Sequence, residues 1–235
     1  ALQEPLGKIK ALNLIGIAYF YNSMYEQALN YLLQALDLLE NFKDDFLFSC
    51  ILNNIGEVYR ESAKYETALE YYYRALEICL STNSKIATAS LLNNIGEIYF
   101  IEKKYDDALK YFTKSYNILI EEKNMVILGE VENKLGKVHF INENYSKAAE
   151  CFSNSLRTLD NIDNKFYAID VLVNIAKLQL KNDSTISFYY FEKAIQYAEK
   201  INAKKKLSEV YKILSEVYEK LGDFRNALEC LKKYI

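Results

Sequence analysis

Apolar residues recur at i, i+3, i+4 and i+7 along almost the whole chain, the spacing of one buried helix face. These amphipathic stretches come in pairs, split by short polar segments near Asn22-Ser23, Ala63-Lys64, Lys103-Lys104, Glu143-Asn144 and Gly222-Asp223. The pattern predicts an all-α chain of helical hairpins. Seven glycines and a single proline, Pro5, are too few for a fold dense in β-turns.

Sliding the chain against itself shows why the pairs look alike. Leu12-Asn13-Leu14-Ile15-Gly16 returns as Leu52-Asn53-Asn54-Ile55-Gly56 and as Leu92-Asn93-Asn94-Ile95-Gly96. Weaker copies end at Lys134-Leu135-Gly136 and Val173-Asn174-Ile175-Ala176, so the small residue comes every 40 positions, and Ser215 follows after 39. Three residues on stand Tyr19, Tyr59, Tyr99, His139, Gln179 and Tyr218. A second string runs Ala28, Ala68, Ala108, Ala148, Ser187, Ala227, then Leu32, Tyr72, Phe112, Phe152, Phe191, Leu231 four positions later. Ala35, Ala75, Ser115, Ser155, Ala194 and Tyr234 follow three after that, and one residue missing near Asn182-Asp183 accounts for the 39.

Small residues such as Gly56 and Ala68 let paired helices approach, with Tyr59 and Tyr72 filling the space alongside. A methyl at Gly56 is expected to fit, whereas a leucine would overpack. The recurring Tyr25, Tyr65, Tyr105 and Tyr145 read as packing at the hairpin turns, as does much of the unusual total of 21 tyrosines.

These residues resemble the tetratricopeptide repeat, whose large, large-small, Tyr, then Ala, aromatic, Ala string is matched across about 225 residues. The resemblance implies a right-handed α-α superhelix of six helix-turn-helix repeats. The repeats fall at about 9–45, 46–85, 86–125, 126–165, 166–204 and 205–235, in one domain over 1–235. Two departures stand out. The family's usual unit has 34 residues, and its closing Pro is replaced here, for example by Leu80. Six additional residues fall around 41–45, 81–85, 121–125 and 161–165. The longer unit is similar to the variety in kinesin light chains and in bacterial signalling proteins. HEAT repeats share the length but lack the Gly, Tyr, Ala, aromatic string. Ala1 and the stop at Tyr234-Ile235 inside an amphipathic helix suggest a piece of something longer.

Charge narrows the partners. The net is −3, with 11 Lys+Arg against 15 Asp+Glu in residues 1–120 and 18 against 17 thereafter. Neither part is basic enough for a phosphate backbone, so nucleic acid is not an expected partner. The run Lys204–Lys206 reads as a solvated loop beside a turn. No apolar run suffices to span a bilayer. Cys50, Cys79, Cys151 and Cys230 lie far apart without a C-x-x-C pair, which favours reduced thiols in a cytoplasm over zinc or disulfides.

No constellation for catalysis emerges, so an enzyme, a metal site and a cofactor are not expected. The single His139 occupies a tyrosine position and reads as a packed ring. The glycines are isolated within helices, unlike a phosphate loop. Acidic pairs Asp44-Asp45 and Asp106-Asp107 suit helix N-termini better than a metal.

One polar row asks for a reason. Asn13, Asn53, Asn93 and Asn133 share a repeat position, and Asn54, Asn94 and Asn174 share the next; neither is expected on the apolar stripe. Asparagine is a mediocre helix former. In the resembled family the first helix of each unit lines the concave face, and Asn there contacts the backbone of a bound extended peptide in several members. An amide can donate and accept at once. The other reading is hydrogen bonding between repeats, or simple exposure. The same mapping adds Glu57, Arg60, Glu97, Phe100, Lys137, Phe140, Lys177 and Leu180 to the groove, which would suit a ligand with both charges and some apolar side chains. The chaperone-tail clamp of some members is not carried over, because Asn13 and Ile17 stand in its places.

The resemblance implies a protein- or peptide-binding module, the sensory or interaction region of a bacterial cytoplasmic signalling protein whose ligand sits in the concave groove. The alternatives are the repeat domain of a peptide-pheromone receptor and a passive scaffold.

Overall fold

The computed structural model of the chain describes residues 3–39, 42, 44–181 and 184–234. The shortening at Asn182-Asp183 therefore lies outside the described residues, as does part of the segment around Asn41. Twelve helices and no strand occur among the described residues.

Helix length follows from the turns. α3 (Asp45–Glu61) and α4 (Tyr65–Ser81) each have 17 residues and are joined by three. The next three residues lead into α5 (Lys85–Ile101), so two such helices and two such turns make the 40-residue unit. Across residues 45–101 the residues beyond the usual 34 lengthen the helices.

The three-residue turns share one device. After α3, Ala63 sits in the left-handed region at φ 57°, its N–H bonds the Arg60 carbonyl at 3.0 Å, and the Lys64 N–H reaches back to the Tyr59 carbonyl at 2.9 Å. This crossed pair closes a helix whose last carbonyls would otherwise be orphaned. Ser23, Asn83, Lys103, Lys123, Glu143, Asp163, Asn202 and Gly222 are also left-handed, one in each described turn. With the helix stopped this way, no Pro is needed. Asp44, Asn124 and Asn164 then cap α3, α7 and α9 by accepting from the backbone N–H three residues on.

The chain divides into two compact units, residues 1–122 and 123–235. The first holds α1 (Gln3–Tyr21), α2 (Tyr25–Leu39), α3, α4, α5 and α6 (Tyr105–Glu122), paired as three hairpins. Its core joins Leu32, Ile51, Ile55, Tyr72, Ile95 and Ile98, all fully buried. Stacked tyrosine pairs, Tyr19 on Tyr31, Tyr59 on Tyr71 and Tyr99 on Tyr111, recur with ring centroids 5.3–5.5 Å apart.

The second unit holds α7 (Met125–Ile141), α8 (Tyr145–Asn161), α9 (Lys165–Gln179), α10 (Ser184–Lys200), α11 (Lys204–Lys220) and α12 (Phe224–Tyr234). Phe152, Leu159, Ile169, Leu172, Phe191 and Ala194 lie at its centre. Ser155 Oγ donates to the Gly129 carbonyl at 2.6 Å, and in the first unit Ser115 does the same to Ala89 at 2.7 Å. The hydroxyls at these small positions are thus satisfied rather than merely tolerated.

The small position is tighter than the sequence suggested. A Cβ on Gly56 would lie 2.5 Å from Tyr72 Cε1, and one on Gly136 would lie 2.5 Å from the Phe152 ring. A methyl at Gly56 does not fit, because the aromatic ring lies flush on the glycine. Three further expectations change. Leu231 is 42% exposed rather than core, because no later helix among the described residues covers α12. Lys204–Lys206 form the first turn of α11, not a loop, and Lys206 bonds Asp170 while lying 5.1 Å above the Phe166 ring. Asn13, Asn93 and Asn133 lie off the apolar stripe by sequence yet are buried, at 8, 4 and 7% exposure.

Candidate functional site

In the first unit the asparagine row is a ladder between consecutive repeats. Asn54 Nδ2 donates to Asn13 Oδ1 at 2.9 Å, and Asn94 Nδ2 donates to Asn53 Oδ1 at 3.0 Å. Each bond joins the second asparagine of one repeat to the first of the repeat before. That fixes the orientation of both amides. The first amide has used its acceptor and retains N–H, while the second has used one donor and retains its carbonyl oxygen. Asn13, Asn53 and Asn54 line a cavity of about 330 Å³ with Ile17, Cys50 and Cys79. Amides that retain both donor and acceptor capacity thus line one cavity. Asn93, nearly buried, has an Oδ1 with no hydrogen-bond partner.

Glu57 and Arg60, beside the row, are bonded within their own repeat. Glu57 Oε2 takes a 2.7 Å ion pair from Arg60 Nη2, and Glu57 Oε1 accepts from Tyr72 Oη at 2.6 Å. Arg60 also pairs with Glu61 at 2.8 Å. Burial, with the Glu57 charge adding to it, pushes the Tyr72 phenol far above its ordinary range, so it acts as a fixed donor. Burial opposes the Arg60 charge, and Glu57 together with Tyr72, Glu61 and Glu97 more than offsets it. Glu97, at the equivalent place on α5, is half-buried and its charge also acts on Arg60. Phe100 on the next turn meets Tyr105 edge-on at 5.6 Å.

In the second unit Asn174 Nδ2 donates to Asn133 Oδ1 at 2.9 Å, repeating the ladder between α9 and α7. Asn133, Lys137, Tyr167 and Asp170 border a cavity of about 130 Å³. Lys177 lies one repeat on from Lys137, in a larger cavity with Phe140 and Leu180. Burial, and next the Lys137 charge, hold its amine below the ordinary lysine range. His139 is half-buried with Nδ1 unpartnered, and burial followed by Lys147 lowers its pKa. The site residues predicted from sequence therefore form two groups, one on each unit. Lys220, Cys50 and Cys79 also border the cavities and were not anticipated. Lys220 occupies the repeat position of Glu61, Ile101, Ile141 and Lys181, a column whose changing character hides it.

Among the described residues no helix is long and apolar enough to cross a membrane. None brings three or more His, Cys, Asp or Glu together as a metal site.

Residues 47–121 and 208–235 match family models described as tetratricopeptide repeat. No curated protein sequence matches the chain. Solved structures resemble it in fold. The apo form of RapI superposes with a TM-score of 0.79 at 19% identity, over 97% of this chain and 82% of that one. Aspartyl phosphate phosphatase F from Bacillus subtilis gives 0.81 at 15% identity, over 99% of this chain and 60% of its own. A Rap protein complexed with Competence and Sporulation Factor gives 0.79 at 17% identity, over 99% and 64%. The chain thus spans less than two thirds of the latter two proteins, and at such identities the likeness is one of fold.

Proposed function

We propose that this chain of tetratricopeptide repeats is a peptide- or protein-binding module that holds an extended segment along the first helices of its repeats. One observation carries the reading: the interlocked amides of Asn13, Asn53 and Asn54, each with hydrogen-bonding capacity left over, line a single cavity. Orienting these groups in advance lowers the ordering cost of binding. The similar Rap protein was solved with a factor bound, which supports the same use here. The most fitting setting is the interaction or sensory region of a bacterial cytoplasmic signalling protein, with the four free thiols reduced.

A second reading, a receptor for a signalling peptide, is favoured by that same likeness and differs only in the ligand's origin. Binding rather than catalysis is the role proposed. Because one similar protein is named as an aspartyl phosphate phosphatase, hydrolysis of a phosphoaspartyl protein by this chain would overturn the non-enzymatic part. The six repeats are proposed as one domain, and two separate unfolding transitions for residues 1–122 and 123–235 would count against that.

The test is selection from a random dodecapeptide library displayed on phage, followed by affinities on the purified chain and on Asn53→Ala with Asn93→Ala. Enriched peptides that bind the intact chain and lose affinity with helicity retained support the groove. No enrichment, or unchanged affinity, overturns it. Lost folding assigns the row to structure alone.

A further inference from the structure

Lys137 and Lys177 each follow the small residue of their repeat, Gly136 and Ala176, so α7 and α9 present them from equivalent places. Lys220, the last residue of α11, enters the same neighbourhood, and the charges of both Lys137 and Lys220 act on Lys177. Lys177 is half-buried, so its ammonium gives up part of its hydration while facing two like charges. The charges of Glu216 and Asp170 act on Lys177 in the opposite sense and offset this only in part. Asp170 is engaged by Lys206. Glu216 borders the cavity with Lys177 and Lys220, and Glu130 borders the smaller one with Lys134 and Lys137. Lys177 and Lys220 thus share the larger cavity with a single acid, Glu216.

The larger cavity, about 430 Å³, is otherwise apolar, walled by Phe140, Leu180, Ile213, Val217 and Leu221. Leu221 is 54% exposed at its rim. Lys137 borders the smaller cavity together with Tyr167 and Val171. A charged group beside Lys177 and Lys220 therefore has apolar lining next to it.

We infer that the inner face of residues 123–235 holds a subsite for an acidic side chain of a bound peptide, seated among Lys137, Lys177 and Lys220 with apolar side chains of the same peptide beside it. The inference rests on the peptide-holding reading and specifies its ligand. An incoming carboxylate relieves the repulsion at Lys177 and forms charge-assisted hydrogen bonds. A neutral or basic side chain would leave the ammonium groups facing one another. In an extended peptide residues i and i±2 share a side, so the matching ligand carries Asp or Glu with apolar residues two positions away. Lys177 also lies one helical turn from Asn174, whose ladder bond to Asn133 orients the amides that would hold the neighbouring backbone.

The dodecapeptide library tests this directly on the full chain. Sequences enriched on the unmodified chain should carry an acid flanked at ±2 by apolar residues. A synthetic peptide of that kind with blocked termini should bind about tenfold more weakly when its acid is replaced by the amide, or when Lys177→Gln and Lys220→Gln are combined. Lys177→Arg should retain the preference. Should the double variant lose its helicity, Lys220→Gln alone carries the test, since that side chain is exposed. Enrichment without an acid, equal affinity for acid and amide, or a preference that survives the lysine changes overturns the subsite and leaves the peptide-holding reading standing. No enrichment at all overturns both.

Discussion

Asn54 Nδ2 donates to Asn13 Oδ1 across 2.9 Å, joining α3 to α1 through two amides separated by 41 residues. Asn13 is 8% exposed, so removing Asn54 leaves an almost dry acceptor without its donor. Asn54→Ala should cost about 1–3 kcal/mol, the usual penalty for stranding such a group. Asn13→Ala should cost a comparable amount, and the double variant less than the sum. Urea unfolding of the four proteins in a double-mutant cycle measures the coupling. A coupling near zero would mean that the ladder adds nothing to the fold.

The turns offer the opposite sign. Ala63 holds φ 57°, which costs a residue with a Cβ about 1–2 kcal/mol. Ala63→Gly removes that strain while keeping the backbone bonds to Arg60 and Tyr59, so the chain should gain up to about 1 kcal/mol after the added flexibility of the unfolded state. Gly222, at φ 76° with nothing within 4 Å of its absent Cβ, should lose a similar amount on change to Ala. Thermal melts of the two variants should move in opposite directions.

Two glycines inside helices separate packing from propensity. Gly7 in α1 has nothing within 4 Å of the place a Cβ would take, so Gly7→Ala should stabilise by about 0.5–1 kcal/mol. Gly56 in α3 has the same helical backbone but faces the Tyr72 ring at 2.5 Å, and Tyr72 is held by its bond to Glu57. Gly56→Ala should therefore cost about 1–3 kcal/mol despite its better helix propensity. Equal effects in denaturant melts would show that the ring moves aside freely.

The repeat was legible because each copy solves the same packing problem with the same residue types. Gly16, Gly56, Gly96 and Gly136 all meet a large side chain from the second helix of their own repeat, and a spacing of 40 displays them at once. The asparagines were visible as a row, but their burial was not. Three pairs of them bond across 41 positions, one repeat and one residue on, which a register of 40 does not display. Periodicity also treats a polar residue beside the apolar stripe as exposed, yet the next repeat covers Asn13. Lys220 escaped for another reason. It joins Lys177 only through the three-dimensional approach of α11 to the end of α9.

Glu132 supplies a test by pH. It lies on α7 at 6% exposure and accepts from Thr158 Oγ1 at 3.0 Å. Burial raises its pKa, and the Thr158 bond and the Arg157 charge only partly oppose the rise. The folded chain therefore holds this proton at pH values where the unfolded chain has lost it. By linkage, stability falls as pH rises from the ordinary value of 4.5 through the raised folded value, and the loss is complete above it. Glu132→Gln keeps an oxygen for Thr158 without the buried charge. At pH 7 the variant should be the more stable protein. The advantage should shrink as the solution is acidified through the folded value and be gone below about pH 4, where both side chains are neutral in both states. Urea midpoints of the two proteins between pH 4 and 8 measure the difference, and a constant gap across that range would show that Glu132 is not the group responsible.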